Sequence, residues 1–297
     1  MQFPSFAEPR VVHSDDSLVV ILKPERMHSA GLPSQASAGP HLCDWAFARF
    51  PELRESGGER SARTGEGGLL NRLDFETSGL VLFARSPDAF SAFLAAQERG
   101  EVEKEYILWA APAPGSPEPQ GSRPDRVEPR GIDAERWRRA LASTDSGGLS
   151  RPGNSLPAPP EANLLSLAEV MAEGLASGSG RPLVEGRFRP FGPGSARVAC
   201  DLEEAGVPGR GERKRARRRS ELYRTEFTDA RVREDRLEFR VMIRRGFRHQ
   251  IRAHLAWVGL PILGDSLYGG RGFPRLCLHA CRVSLPRPGA ARLVLEA

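Results

Sequence analysis

Within Asn71-Arg72-Leu73-Asp74-Phe75-Glu76-Thr77-Ser78-Gly79-Leu80, one carboxylate stands between an arginine and a Thr-Ser-Gly turn, with apolar runs on both sides. Such an aspartate at a strand end can face a cleft and serve as a nucleophile or as an anion against developing positive charge. Arg72 precedes Asp74 by two residues and shares its face if the strand persists. The plain structural reading is an aspartate that closes the turn through its own side chain.

A second cluster is Arg245-Gly246-Phe247-Arg248-His249-Gln250-Ile251-Arg252-Ala253-His254-Leu255. Its pattern is that of a helix start, where backbone N–H groups and the helix dipole favour anions. Arg248 and Arg252 fall four apart on one face, as do Gln250 and His254. His249 and His254 are five apart, the wrong spacing for two ligands on one face. Phosphate or nucleic acid is therefore the better expectation than a metal. The alternative is a solvated surface charge cluster. Tyr106, one of three tyrosines, sits on an alternating stretch and by itself reads as a packing residue. Cys277 and Cys281 flank His279, but no second ligand pair is near in sequence, so a buried strand is expected there and no metal.

The elements that must hold these residues are legible in outline. Val11 to Lys23 reads as a hairpin around Asp15-Asp16. Leu42 to Phe50 reads as a short helix, and Leu69 to Arg85 as a strand, a polar turn and a second strand. Ser86-Pro87-Asp88 is a helix start with a capping serine and proline at the first helical position. That helix runs to Arg99, and Gly100 ends it. Val102 to Ala110 alternates as a strand. Helical patches are expected at Asp133 to Ser143 and Glu161 to Leu175. Strands are expected at Tyr223 to Thr228, Leu237 to Ile243 and Arg275 to Leu285, with a helix from His249 to Trp257.

The chain has 297 residues, enough for a sizeable core, with 39% hydrophobic and 27% charged residues. Residues 111–160 hold 10 of the 25 prolines, which marks an insertion with proline-rich edges. The expected division is 1–110 and 181–297 as two halves of one catalytic domain, with 111–180 inserted between them. The net charge of +5 comes with 40 arginines and only three lysines, Lys23, Lys104 and Lys214. That permits a polyanionic partner, since the guanidinium fork grips phosphate. Seven basic residues lie in 210–219. They read either as an accessory clamp for a polyanion or as a solvated charge run. No apolar run approaches the roughly 18 residues of a membrane span. Residues 1–10 lack a secretory pattern, and four cysteines do not make a disulfide scaffold. A reduced, cytoplasmic, monomeric protein is the expectation.

Taken together, these segments resemble the RluA-type family of RNA pseudouridine synthases. The resemblance rests on Val19 to Pro24, Asn71 to Arg85, Val102 to Tyr106, and Gly246 to Gly269 with Leu278-His279-Ala280. The decisive parts are Arg-Leu-Asp-x-x-Thr-Ser-Gly, His-Gln-Ile-Arg and Gly-Asp-x-x-Tyr-Gly. The resemblance implies an α+β fold with a mixed, mainly antiparallel sheet, flanking helices and a central cleft. It implies conversion of uridine to pseudouridine in ribosomal or transfer RNA, with no cofactor. It implies Asp74 as catalytic aspartate, Arg252 paired with it, and Tyr106 against the target base. Arg72 would hold the opened RNA, with Arg248, His249 and Gln250 as further RNA-binding residues. No separate N-terminal RNA-binding domain is expected. Two positions depart from the family: Asn71 stands where His is usual, and Phe247 displaces an arginine by one. The alternative is an RNA-binding protein of the same fold without turnover. A third reading is a hydrolase using Asp74 and Glu76 as a pair.

Overall fold

Six successive buried residues, Leu18–Lys23, form β2, and seven more, Ser78–Ala84, form β3. Strands apolar on both faces must be covered on both faces. In this computed structural model, which describes residues 3–31, 41–58, 65–112, 129–142, 161–178, 180–192, 194, 196–201, 221–287 and 290–297, they are. The arginine run at 210–219 and most of the proline-rich stretch lie outside the described residues. The chain forms two units, residues 1–106 with 278–297, and residues 107–277.

In the first unit, β1 (Arg10–Ser14) pairs antiparallel with β2, as the acidic turn predicts. Asp15 makes that turn, its Oδ1 accepting from the amides of Ser17 and Leu18 at 2.9 Å. β2 pairs antiparallel with β3 from Leu18↔Ala84 to Lys23↔Gly79. β3 pairs parallel with β9 (Leu278–Arg287), and β10 (Ala290–Glu296) adds antiparallel to β9. α2 (Pro87–Glu98) lays Phe90, Phe93 and Ala96 on the face that carries Leu18, Val20, Leu22, Leu80 and Leu82. Ser86 caps α2 as expected, its hydroxyl accepting from the Ala89 amide. On the other face α1 (Leu42–Arg49) sets Phe47 edge-on against Phe83. β4 (Glu103–Ala110) begins in this unit, where the Cys281 thiol donates to the Glu105 carbonyl.

The second unit holds the strand order β8-β7-β5-β6. β5 is Leu183–Phe191, β6 Arg197–Asp201, β7 Tyr223–Arg233 and β8 Arg236–Ile243, and their mutual pairings are antiparallel. α3 (Ala134–Ala142) packs on α4 (Glu161–Ala176), and α4 packs on β7. Both helices fall where the sequence predicts. α5 (Gln250–Trp257) packs against β5, β6 and β7. The architecture is the expected mixed, mainly antiparallel α+β fold. One expected strand is missing: Leu69 to Asp74 is reduced to a single bridge, Leu69↔Phe83. Among the described residues no helix is long and apolar enough to cross a membrane.

Candidate active site

Asp74 lies in the loop that the missing strand leaves behind. Arg72 is exposed, Leu73 buried and Asp74 half-buried. The loop is tied down residue by residue. Asn71 stands in for a strand residue: its Oδ1 accepts from the Leu82 amide at 2.8 Å, and its Nδ2 donates to the Leu80 carbonyl at 3.3 Å. Ser29 Oγ donates to the Leu73 carbonyl at 2.9 Å and accepts from the Leu73 amide at 3.0 Å. The Thr77 amide donates to the Asp74 carbonyl at 3.1 Å and closes the turn.

Lys23 holds the other side. Its ammonium is fully buried and donates to the carbonyls of Pro24 and Met27 at 2.8 Å and of Phe75 at 3.5 Å. The Met27 amide also donates to the Phe75 carbonyl. Asp74 is thus anchored through both neighbours, which is the backbone rigidity a reacting group needs. Ser29 carries no motif of its own, and Lys23 lies in the Val19 to Pro24 stretch with no role assigned to it. The signal available was only that Lys23 ends an apolar run, where a buried lysine must find acceptors. Arg72 Nη1 donates to the buried Glu66 carboxylate at 3.3 Å.

Tyr106 is buried on β4, and the field of Asp74 reaches it. Burial, then the charges of Asp74 and Cys281, hold its phenol pKa well above the ordinary value. Tyr106 therefore stays protonated beside a carboxylate. The structure brings these two predicted residues together within the first unit.

The remaining candidates belong to the second unit. Arg252 is buried, and its Nε and Nη2 grip Asp265 Oδ2 and Oδ1 at 2.8 and 2.7 Å. Asp265 Oδ1 also accepts from the amides of Leu267 and Tyr268. The Gly-Asp-x-x-Tyr-Gly motif is thus a turn built around one carboxylate. Gly264 is at φ +76°, and a Cβ there would meet the Arg275 carbonyl at 1.9 Å. Asp265, a residue to which the sequence reading assigned no role, is one partner of Arg252.

α5 starts on His249, whose backbone is left-handed at φ 57°. Such strain in a non-glycine residue needs an over-determined setting. Here the Gln250 amide donates to the Phe247 carbonyl and the Phe247 amide donates to Gln250 Oε1. Gln250 Nε2 donates to the Arg224 carbonyl at 2.8 Å. Gln250 is buried, so it shapes the helix start and offers little to the surface. His249 Nδ1 meets the Tyr268 hydroxyl at 3.2 Å, and the exposed Arg248 donates to the Arg197 carbonyl. Phe247 stacks on Phe188 with ring centres 5.1 Å apart, which explains an aromatic where arginine is usual. His254 is buried, bonded to Thr225 Oγ1 at 2.8 Å, and burial holds its pKa down to about 3. Cys277, His279 and Cys281 have separate partners: the Arg275 carbonyl, the Ser78 hydroxyl and the Glu105 carbonyl. Among the described residues no three metal-ligating side chains cluster.

Known proteins resemble this chain in sequence and in fold. An uncharacterized RNA pseudouridine synthase of Synechocystis sp. is 49% identical over 53 residues, covering 18% of this chain and 17% of that protein. RNA pseudouridine synthase 2, chloroplastic, of Arabidopsis thaliana is 39% identical over 83 residues, covering 28% and 19%. The chain spans only about a fifth of the length of the curated relatives it matches. Among solved structures, human RNA Pseudouridylate Synthase Domain Containing 1 superposes with TM-score 0.53 and 15% identity over 100% of this chain and 86% of that one, which shows the fold. The sequence pattern of RNA pseudouridylate synthase matches residues 17–146, a span that includes Asp74 and Tyr106.

Proposed function

We propose that this protein isomerises uridine to pseudouridine in structured RNA, ribosomal or transfer, acting as a monomer in the cytoplasm. The observation that carries this reading is Asp74, fixed from both sides by Ser29 and Lys23, with its charge felt by the protonated Tyr106. The reaction breaks the C1′–N1 bond of uridine, turns the uracil and joins C1′ to C5; C5 releases its proton and N1 takes one up. Cleavage gives the ribose centre oxocarbenium character, and a fixed carboxylate stabilises it. A neutral phenol can lie against the uracil without adding a second negative charge. Substrate and product are isomers, so the reaction needs no redox cofactor.

The target must leave its stack, at a cost of a few kcal/mol. Exposed Arg72 and Arg248 are the proposed phosphate contacts, with His249 next to Arg248 in the chain. Gln250 acts through the helix start it shapes. Arg252 is required through the buried pair it makes with Asp265. Asn71 and Phe247 each do a structural job, and both leave Asp74 and Tyr106 in place, which favours turnover over a binding-only protein.

The test is Asp74→Asn on RNA labelled with tritium at uridine C5. The wild type releases tritium. The variant releases none and binds RNA within about twofold of wild type. Release by the variant would remove Asp74 from the chemistry. A wild type that binds RNA and releases nothing would support the binding-only alternative. Free uracil as product would support the Asp74–Glu76 hydrolase.

A further inference from the structure

Phe75 follows Asp74 directly and is 42% exposed. Among the described residues only Phe75, Leu165 and Val294 are large apolar side chains so open to solvent. A turn normally places polar or small residues at its tip. Here the tip carries a phenyl ring on a backbone whose carbonyl is held by the Met27 amide at 3.2 Å and approached by Lys23. The ring is therefore presented from a fixed point.

It is also backed. The His28 imidazole lies 4.6 Å from the Phe75 ring, inclined by 38°, and His41 continues the row 6.0 Å beyond His28. Burial, then His41, Lys23 and Arg72, lower the pKa of His28. It stays neutral at physiological pH and behaves as a flat aromatic plate. Of the two cations whose charge reaches it, Lys23 is enclosed among carbonyls and Arg72 is exposed, where a phosphate can approach it. An exposed ring backed by a half-buried imidazole, with an exposed arginine three residues away in the chain, is the kind of surface on which bases of a single strand stack. It is too small for a protein interface, which needs several hundred Å² per partner.

We propose that Phe75, backed by His28, is a stacking platform for an unpaired nucleobase adjoining the uridine that Asp74 acts on. The proposal rests on the RNA reading above for its ligand class. One peptide unit spans about 3.8 Å between Cα atoms, so a base on Phe75 is close to the reacting centre. Phe75 acts on substrate placement and takes no part in bond making.

The test compares two fluorescent probes by anisotropy: a 12-nucleotide oligouridylate, and the same sugar–phosphate chain with every base removed. Wild type binds the base-bearing chain more tightly. Phe75→Ala weakens that binding about tenfold, leaves the abasic chain unchanged and leaves the salt dependence unchanged, because phosphate contacts remain. Phe75→Trp restores or exceeds wild-type affinity. His28→Ala gives a smaller loss of the same kind. A wild type that does not distinguish the two chains, or a Phe75→Ala protein that loses both equally, overturns the platform. Tritium release by the same preparations scores the isomerase reading separately. A protein that prefers bases and releases no tritium keeps the platform and loses that reading. One whose Phe75→Ala form binds both chains as wild type does and releases tritium at the wild-type rate under sub-saturating RNA keeps the isomerase and loses the platform.

Discussion

Arg252 and Asp265 are each almost wholly buried, and a buried charge is tolerable only when a partner meets it. Their two short parallel hydrogen bonds are the fork geometry that only arginine supplies. Asp265→Asn removes the countercharge and should lower unfolding free energy by about 3 kcal/mol, read from urea midpoints. Arg252→Lys keeps the charge, loses the fork, and should fall between wild type and Asp265→Asn. At this scale the sequence was informative where residue types are rare. A lone Asp beside Thr-Ser-Gly and a Tyr on a strand drew attention, and the two lie within each other's field. Ser29 escaped notice and Lys23 was read only as the end of a strand, because their value lies in partners far along the chain. Ser29 meets Leu73 across 44 residues and Lys23 meets Phe75 across 52. Neither a serine nor a lysine announces such a partner through its neighbours.

Among the elements, β3 shows how a motif can serve two ends. Thr-Ser-Gly reads as turn chemistry, yet Gly79 lies in the strand at φ +126°, where a Cβ would come within 2.4 Å of the Ala280 backbone. The parallel approach of β3 to β9 requires a glycine there. Gly79→Ala should cost about 3 kcal/mol and lower Tm by roughly 6–12 °C in calorimetry. α2 was legible to its caps, because Ser86-Pro87 at one end and Gly100 at the other are local signals. β5 and β6 were not. Arg187, Arg189, Gly186 and Pro190 thin the apolar pattern of β5, and its Glu185 is buried only because Arg224 and Arg130 cover it. That cover exists only once distant strands have paired. The stretch before Asp74 was read as a strand because its alternation is real, but Asn71 takes the hydrogen bonds that a ladder would have used.

For the molecule as a whole, buried titratable groups set the pH range of stability. Burial holds His254 near 3 against an ordinary 6.5, so the unfolded chain takes up a proton that the folded one refuses. Stability from this group is present above pH 6.5 and falls by about 1.4 kcal/mol per pH unit as pH drops toward 3. His254→Gln should flatten that acid limb in urea titrations at stepped pH. Cys43 and Cys277 are pushed up to about 12 from 9.0, chiefly by burial. Their contribution is present below pH 9 and is lost as pH rises toward 12, and Cys43→Ala should make the alkaline limb shallower. The net charge of +5 says little about this, since exposed arginines dominate the count while a few enclosed groups decide the slopes. Chain order has a consequence of its own. The first unit takes β9 and β10 from residues 278 onward, so Ser78 waits for a partner 201 positions later. On the ribosome, residues 107–277 emerge and can fold while β3 still has an open edge. Among the last sheet contacts to form, on that schedule, are those that β3 makes with β9, close by the turn that carries Asp74.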